Sequence, residues 1–244
     1  MEAGDLKIKM IYNNTGECSG MKNAWGLSIW IEDKRGATLF DTGGDTAVLK
    51  QNMEHLGLDF SKLDRIVISH NHWDHKGGLE YVLGKTKACI DMYVPIEVRK
   101  EYQKDYPGAN VIGVNKSMNI HNNIWSTGSM SATHKGNAIN EQSLIIKNND
   151  SMILLNGCSH PGIVQIVKQA RTDHPGLRFS LVAGGFHLMR KTKKEVREIS
   201  AELKELGIDK IAPSHCTGEK AIDIFREDWG DKFVDMNIGD EKTA

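Results

Sequence analysis

The chain contains no C-x-x-C pair, no apolar run long enough to span a bilayer, no excess of either charge, and only five prolines in 244 residues. Each absence closes off a class of function. Cys18, Cys89, Cys158 and Cys216 are widely scattered, so neither a disulfide framework nor a four-cysteine zinc module is expected, and a reducing cytoplasm is the simplest compartment. The 31 Lys and Arg against 32 Asp and Glu leave a formal net charge of −1. That balance lacks the broad positive field that non-specific binding to nucleic acid or an acidic membrane requires. The expected partner is therefore a small-molecule substrate, with no nucleic acid and no membrane. Met1 to Lys9 mixes charge with isolated apolar residues and has no apolar core of the kind a signal peptide carries. The thin spread of prolines and the absence of repeats or Pro/Gly/Ser linkers predict one domain over residues 1–244.

What is present suits an α/β core, with 39% apolar and 26% charged residues. Leu27 to Glu32 and Thr38 to Phe40 read as strands across the charged turn Asp33-Lys34-Arg35-Gly36. Val48, Leu49, Met53 and Leu56 recur at helical spacing and stop at Gly57, which predicts a helix over Thr46–Leu56. Arg65 to Ser69 reads as a short buried strand. Three later strands, Ser151–Leu155, Phe179–Ala183 and Lys210–Ala212, end near His160, His187 and His215, with helical patterns over Ile163–Ala170 and Lys193–Leu206 between them. Strand ends that gather loops are places where active sites form. Between Lys85 and Asn137 the pattern is weak: Tyr93 to Tyr106 has only faint helical character, and strands are expected within Val111–Trp125.

The densest chemistry lies in His70-Asn71-His72-Trp73-Asp74-His75, where four metal-competent side chains occupy six consecutive positions. Neutral imidazole with carboxylate is the ligand set preferred by zinc and other borderline divalent ions. The run starts where a strand stops, and Gly77-Gly78 loosens the backbone after it. On a turn, His70 and His72 could face one ion and Asp74 and His75 a neighbour roughly 3.5 to 4 Å away, close enough for both to act on one water.

The His-x-His-x-Asp-His run, with Leu39-Phe40-Asp41-Thr42-Gly43 before it and Gly77-Gly78-Leu79 after it, resembles the signature of the metallo-β-lactamase superfamily. Gly157-Cys158-Ser159-His160 and Pro213-Ser214-His215-Cys216 match, in order and spacing, the places of its later histidine ligands. The resemblance implies an α/β fold, an αββα sandwich of two mixed sheets flanked by helices. It also implies that His70, His72 and His160 hold one ion, that Asp74, His75 and His215 hold a second, and that Asp41 buttresses the ligand loop from behind. The cofactor expected is one or two zinc ions, with iron or manganese as alternatives. The superfamily usually places a bridging Asp at the end of the strand that here runs into Gly184-Gly185-Phe186-His187. With His187 in its stead, either the histidine substitutes as a ligand or the second ion is weakly held. Gly-Gly-Phe-His-Leu, Gly-Cys-Ser-His, His-Cys-Thr-Gly and Glu141-Gln142-Ser143-Leu144 together resemble a narrower branch, the 7,8-dihydropterin-6-methyl-4-(β-D-ribofuranosyl)aminobenzene-5′-phosphate synthase-like proteins.

The expected activity is hydrolysis of an ester, phosphoester, thioester or amide by a metal-activated hydroxide, with Asp74 accepting the proton. The alternative is the synthase-like transferase chemistry that the branch implies. Trp73, His134 and Arg190 are candidate substrate contacts, Arg190 because it opens the basic cluster Arg190-Lys191-Thr192-Lys193-Lys194 that could receive a substrate phosphate. A solvated helix start is the plainer explanation of that cluster. Cys158 and Cys216 read as small buried side chains rather than ligands. Asp41-Thr42-Gly43 also matches an aspartic-protease triplet, but that chemistry needs two, and no second exists.

Overall fold

The computed structural model describes residues 6–243, so Met1–Asp5 of the charged start lie outside the described residues. The chain forms two compact units, Met1–Asn115 with Asn237–Ala244, and Lys116–Met236.

The first unit is built on a seven-stranded mixed sheet. Strands β1 (Lys7–Tyr12), β2 (Ser28–Asp33) and β3 (Gly36–Phe40) run antiparallel, and β4 (Leu63–Val67), β5 (Asp91–Pro95) and β6 (Asn110–Val114) follow β3 in parallel. The C-terminal strand Glu241–Thr243 pairs with β1. The expected β2–β3 hairpin is present, its turn held by Asp33 accepting from the Arg35 amide at 2.7 Å. Helix α1 (Thr46–His55) starts where the Asp45 carboxylate accepts from the Val48 amide at 2.9 Å, and it ends just before Gly57, at φ 61°. Its Leu49 and Met53 pack with Leu39, Ile66, Ile68, Leu79 and Val82 in a core closed to water. That core brings β4 to the histidine run with its end fixed, since the Ile68 amide donates to Tyr93 O at 2.9 Å.

Past β4 the chain turns through α2 (Trp73–Lys76) and α3 (Leu79–Leu83). Gly77 does not loosen this turn. A β-carbon there would lie 2.4 Å from Gly44 O, so glycine is required by close approach to the loop after β3. Tyr93 to Tyr106 is not one faint helix: β5 runs to Pro95, and only then does α4 (Arg99–Asp105) form. The buried Met92, paired on both sides by β4 and β6, and the buried Val94, paired with β6, outweigh the local helical spacing.

The second unit holds a six-stranded mixed sheet. Strands β7 (Met118–His121), β8 (Ile124–Ser126), β11 (Leu144–Asn148) and β12 (Ser151–Asn156) are antiparallel neighbours, and β13 (Arg178–Gly185) and β14 (Ile211–Ser214) extend β12 in parallel. A separate hairpin pairs β9 (Met130–His134) with β10 (Asn137–Glu141). Helices α5 (Ile163–Asp173), α6 (Lys193–Glu205) and α7 (Glu219–Trp229) cover a core of Leu154, Val167, Val182, Phe186, Val196, Leu203, Phe225 and Trp229. Each turn of these helices presents apolar residues to one side, which is the period that fixes which face is buried. Among the described residues no helix is long and apolar enough to cross a membrane.

Candidate functional site

In the first unit the histidine run is organised around one carboxylate. Asp41 leaves β3 with φ 61°, a backbone region that Asp tolerates better than most residues, and its side chain is fully buried. It accepts from the Ser69 amide at 2.7 Å, from Ser69 Oγ at 2.7 Å, and from His75 Nδ1 at 2.6 Å. Ser69 Oγ also lies 2.9 Å from His70 Nδ1. Ser69 has one hydroxyl proton, which goes to the carboxylate, an acceptor only, so His70 Nδ1 must be the donor to Ser69. Both imidazoles are thereby fixed with hydrogen on Nδ1 and a lone pair on Nε2, the form in which histidine binds metal.

His70 Nε2 stands 3.1 Å from His72 Nδ1. Two nitrogens bound at about 2.0–2.1 Å to one tetrahedral ion are roughly 3.3 Å apart, so the spacing fits a shared divalent cation. Asp74, almost buried, places Oδ2 3.8 Å from His75 Nε2. His70 and His75 are fully buried, and His72 is half-buried. Trp73 between them is 61% exposed and packs over Gly44, where any side chain would strike the indole.

In the second unit the three parallel strands finish at one sheet edge. Asn156 pairs with Gly184, and Gly185 with Ser214, so the residues that follow, His160, His187 and His215, leave the sheet side by side. Ser159, His187 and His215 have φ of 61°, 54° and 49°, so each of these strand ends turns sharply within one or two residues of its histidine. Glycine is required just before: a β-carbon on Gly184 would lie 2.1 Å from Asn156 O, and one on Gly185 2.3 Å from Gly157 O. The Asp that the superfamily would place here has no room at 184 or 185. Phe186 turns into the core, and His187 is the first side chain out.

The His160 loop has its own anchor. Glu141, buried at the end of β10, accepts from the amides of Cys158 and Ser159 on Oε1 and of His160 on Oε2, each at 2.7 Å. Ser159 Oγ donates to Gly185 O at 2.7 Å, tying this loop to the end of β13. His134, at the tip of the hairpin, sits with its ring centroid 4.8 Å from that of His160 and 5.1 Å from that of His187. Cys158 and Cys216 are buried free thiols whose sulfurs lie, with a His187 nitrogen, within 4.8 Å of one another. Cys216 donates to Cys158 O at 3.5 Å.

The basic cluster after His187 is largely occupied. Lys191 pairs with Glu195 at 2.8 Å, and Arg197 pairs with Glu227 and Asp228. The Lys191 contact and the Thr192 cap draw the Glu195 carboxyl down to about 2. These residues form a capped helix start. Arg190, just before it, is exposed. Ser69 and Glu141 are the positioning residues for which residue spacing gave no role.

Residues 26–139 match the family model described as the metallo-beta-lactamase superfamily. A curated protein of Methanocaldococcus jannaschii, named 7,8-dihydropterin-6-methyl-4-(beta-D-ribofuranosyl)-aminobenzene-5′-phosphate synthase, is 27% identical, with 98% of each chain covered. Among solved structures, Tm1679, described as a metal-dependent hydrolase of the beta-lactamase superfamily, superposes with a TM-score of 0.79 at 25% identity, covering 98% of this chain and 99% of that one. The metallo-beta-lactamase fold protein YhfI from Bacillus subtilis superposes at 0.71 with 13% identity, covering 98% of this chain and 99% of that one. With the histidine run fixed by Asp41 and the later histidines at one sheet edge, the chain is an enzyme of the metallo-β-lactamase fold that resembles the dihydropterin-ribofuranosylaminobenzene-phosphate synthase-like branch of that superfamily.

Proposed function

We propose that the protein is a metal-dependent hydrolase of small molecules, acting on an ester, phosphoester, thioester or amide, with His70, His72, Asp74, His75, His160, His187 and His215 as metal ligands. The observation that carries this reading is the Asp41–Ser69 network, which leaves His70 and His75 with Nε2 as a lone-pair donor. These side chains would hold a divalent ion, zinc or alternatively iron or manganese, which when bound would supply Lewis acidity and lower the pKa of a water. The remaining work falls to the chain. Asp74, shielded from solvent, would serve as the proton acceptor at its carboxylate. The exposed Trp73 offers a flat wall to a ring-bearing substrate, and Arg190 a guanidinium to a substrate phosphate.

The test is metal content by elemental mass spectrometry on protein purified without added metal, together with turnover of a panel of nitrophenyl acetate, nitrophenyl phosphodiester, thioester and anilide substrates. Wild type is expected to carry metal and to turn over one class, and His72→Ala to lose turnover together with the metal held by the histidine run. Metal-loaded protein that is inert toward the whole panel would count against hydrolysis.

The second reading is a synthase-like transferase, favoured by the Methanocaldococcus jannaschii relative that aligns over 98% of both chains. In it the amine of a ribosyl-aminobenzene phosphate would displace a leaving group from the 6-methyl carbon of a pterin precursor, the leaving group departing with the bonding pair and the amine losing a proton, with Arg190 anchoring the phosphate. Mass spectrometry of such a mixture would show the condensed product if this reading holds.

A further inference from the structure

We propose that His134, His160 and His187 form a three-imidazole site for a divalent transition-metal ion, built wholly within Lys116–Met236, in which the hairpin β9–β10 supplies a ligand. The ring centroids are 4.8 Å apart for His134 and His160, 5.1 Å for His134 and His187, and 4.3 Å for His160 and His187. One ring nitrogen from each lies within 4.8 Å of the other two. Three imidazoles converging from three separate elements match the His₃ donor set that holds zinc with a fourth position left open, and imidazole equally suits copper, iron and nickel.

The arrangement is fixed from behind. The hairpin turns through Lys135 and Gly136 at φ 50° and 82°, the two-residue turn with positive φ at both positions that matches strand twist, so His134 is held at the end of its strand opposite Asn137. The returning strand ends in Glu141, whose carboxylate holds the amides of Cys158, Ser159 and His160. One hairpin thus carries the first imidazole and anchors the backbone of the second. The third, His187, is fixed by its left-handed backbone and by the Ser159–Gly185 bond that joins the two loops.

A ligand role for His134 replaces the substrate contact expected of it and fills the donor set that lacks an Asp at the end of β13. The site shares His160 and His187 with the hydrolase reading but does not depend on hydrolysis.

The experiment is titration of full-length, chelator-treated protein with Co²⁺, read by its visible ligand-field absorption, in a His72→Ala background that cripples the histidine run. That variant is expected to bind one Co²⁺ with the intense band of a four-coordinate site. Adding His134→Ala should weaken binding by at least ~100-fold, beyond the ~10–100-fold that loss of an outer-shell partner causes. Lys135→Ala, next to it on the turn, should leave affinity and spectrum unchanged. His134→Gln serves where the alanine variant does not fold, with far-UV circular dichroism as the check. Equal affinity and an equal spectrum with and without His134 would overturn the proposal, as would a folded His72→Ala protein that binds no Co²⁺. Wild-type turnover of the substrate panel is read separately, so failure of the hydrolase reading would not be mistaken for failure of this one.

Discussion

Asp41 Oδ2 lies 2.6 Å from His75 Nδ1, and both side chains are fully buried. Asp41→Asn keeps the size and tolerates φ 61°, but its single carbonyl oxygen cannot serve three donors. Metal affinity, measured by competition with a chromophoric chelator, is expected to fall by about 10–100-fold. Asp41→Ala also leaves the Ser69 and His75 donors unsatisfied and should cost about 2–4 kcal/mol in urea unfolding.

Glu141 accepts three consecutive amides on one buried carboxylate. Glu141→Gln sets an NH₂ against at least one of those N–H groups, so we expect a loss of about 2–3 kcal/mol, where a merely exposed Glu would lose almost nothing. Thermal melting of the two proteins decides between these outcomes.

At the end of β13 the backbone dictates which residue can carry a ligand. His187→Asp should fold with a melting temperature close to wild type, because Asp accepts a left-handed backbone, whereas His187→Val should lose about 1–3 kcal/mol at the same position. Gly185→Asp should not give a stable protein, since its β-carbon would meet Gly157 O at 2.3 Å and the Cys216 sulfur at 2.7 Å. Comparable stability of the Gly185→Asp and His187→Asp proteins would show that this backbone relaxes.

His174, buried against the edge of Trp125, should give folding a pH dependence. Burial, and then the Lys147 cation, push its pKa below the ordinary value, against a smaller opposing pull from Asp173. The unfolded chain therefore binds the proton more readily, so the contribution is complete above the unfolded value near 6.5 and is lost as the pH falls toward the folded one. The urea midpoint should drop between about pH 7.5 and about pH 5.5, and less steeply in His174→Leu. An identical slope in both proteins would assign the effect to other histidines.

The histidine run was legible because its metal-competent side chains are consecutive and follow a strand of apolar residues, and α1 because Asp45 and Gly57 bracket a helical period. The three later histidines were legible for the same reason, each closing a buried run. The segment from Lys85 to Asn137 was not. Its strands are three to five residues long, β7 and β8 are interrupted by Asn119, Asn122 and Asn123, and β5 is held by neighbours on both sides rather than by its own pattern. His134 looked like a loop residue because its ring partners, His160 and His187, lie beyond three further strands. Ser69 acts through its hydroxyl on Asp41 and His70, and Glu141 through backbone amides, and neither contact leaves a spacing to read. The glycines at 77, 184 and 185 resemble points of looseness in sequence and are points of contact in space.

Cys158, Ser159 and His160 belong to no regular element, yet all three amide hydrogens end on a single side chain carried by β10. In deuterated water such loop positions ordinarily exchange almost at once, but here none of the three is released until the carboxylate withdraws. Their exchange should therefore be slow and share one rate, set by the opening of a hairpin that contains none of them, so that loop and hairpin behave as one cooperative unit.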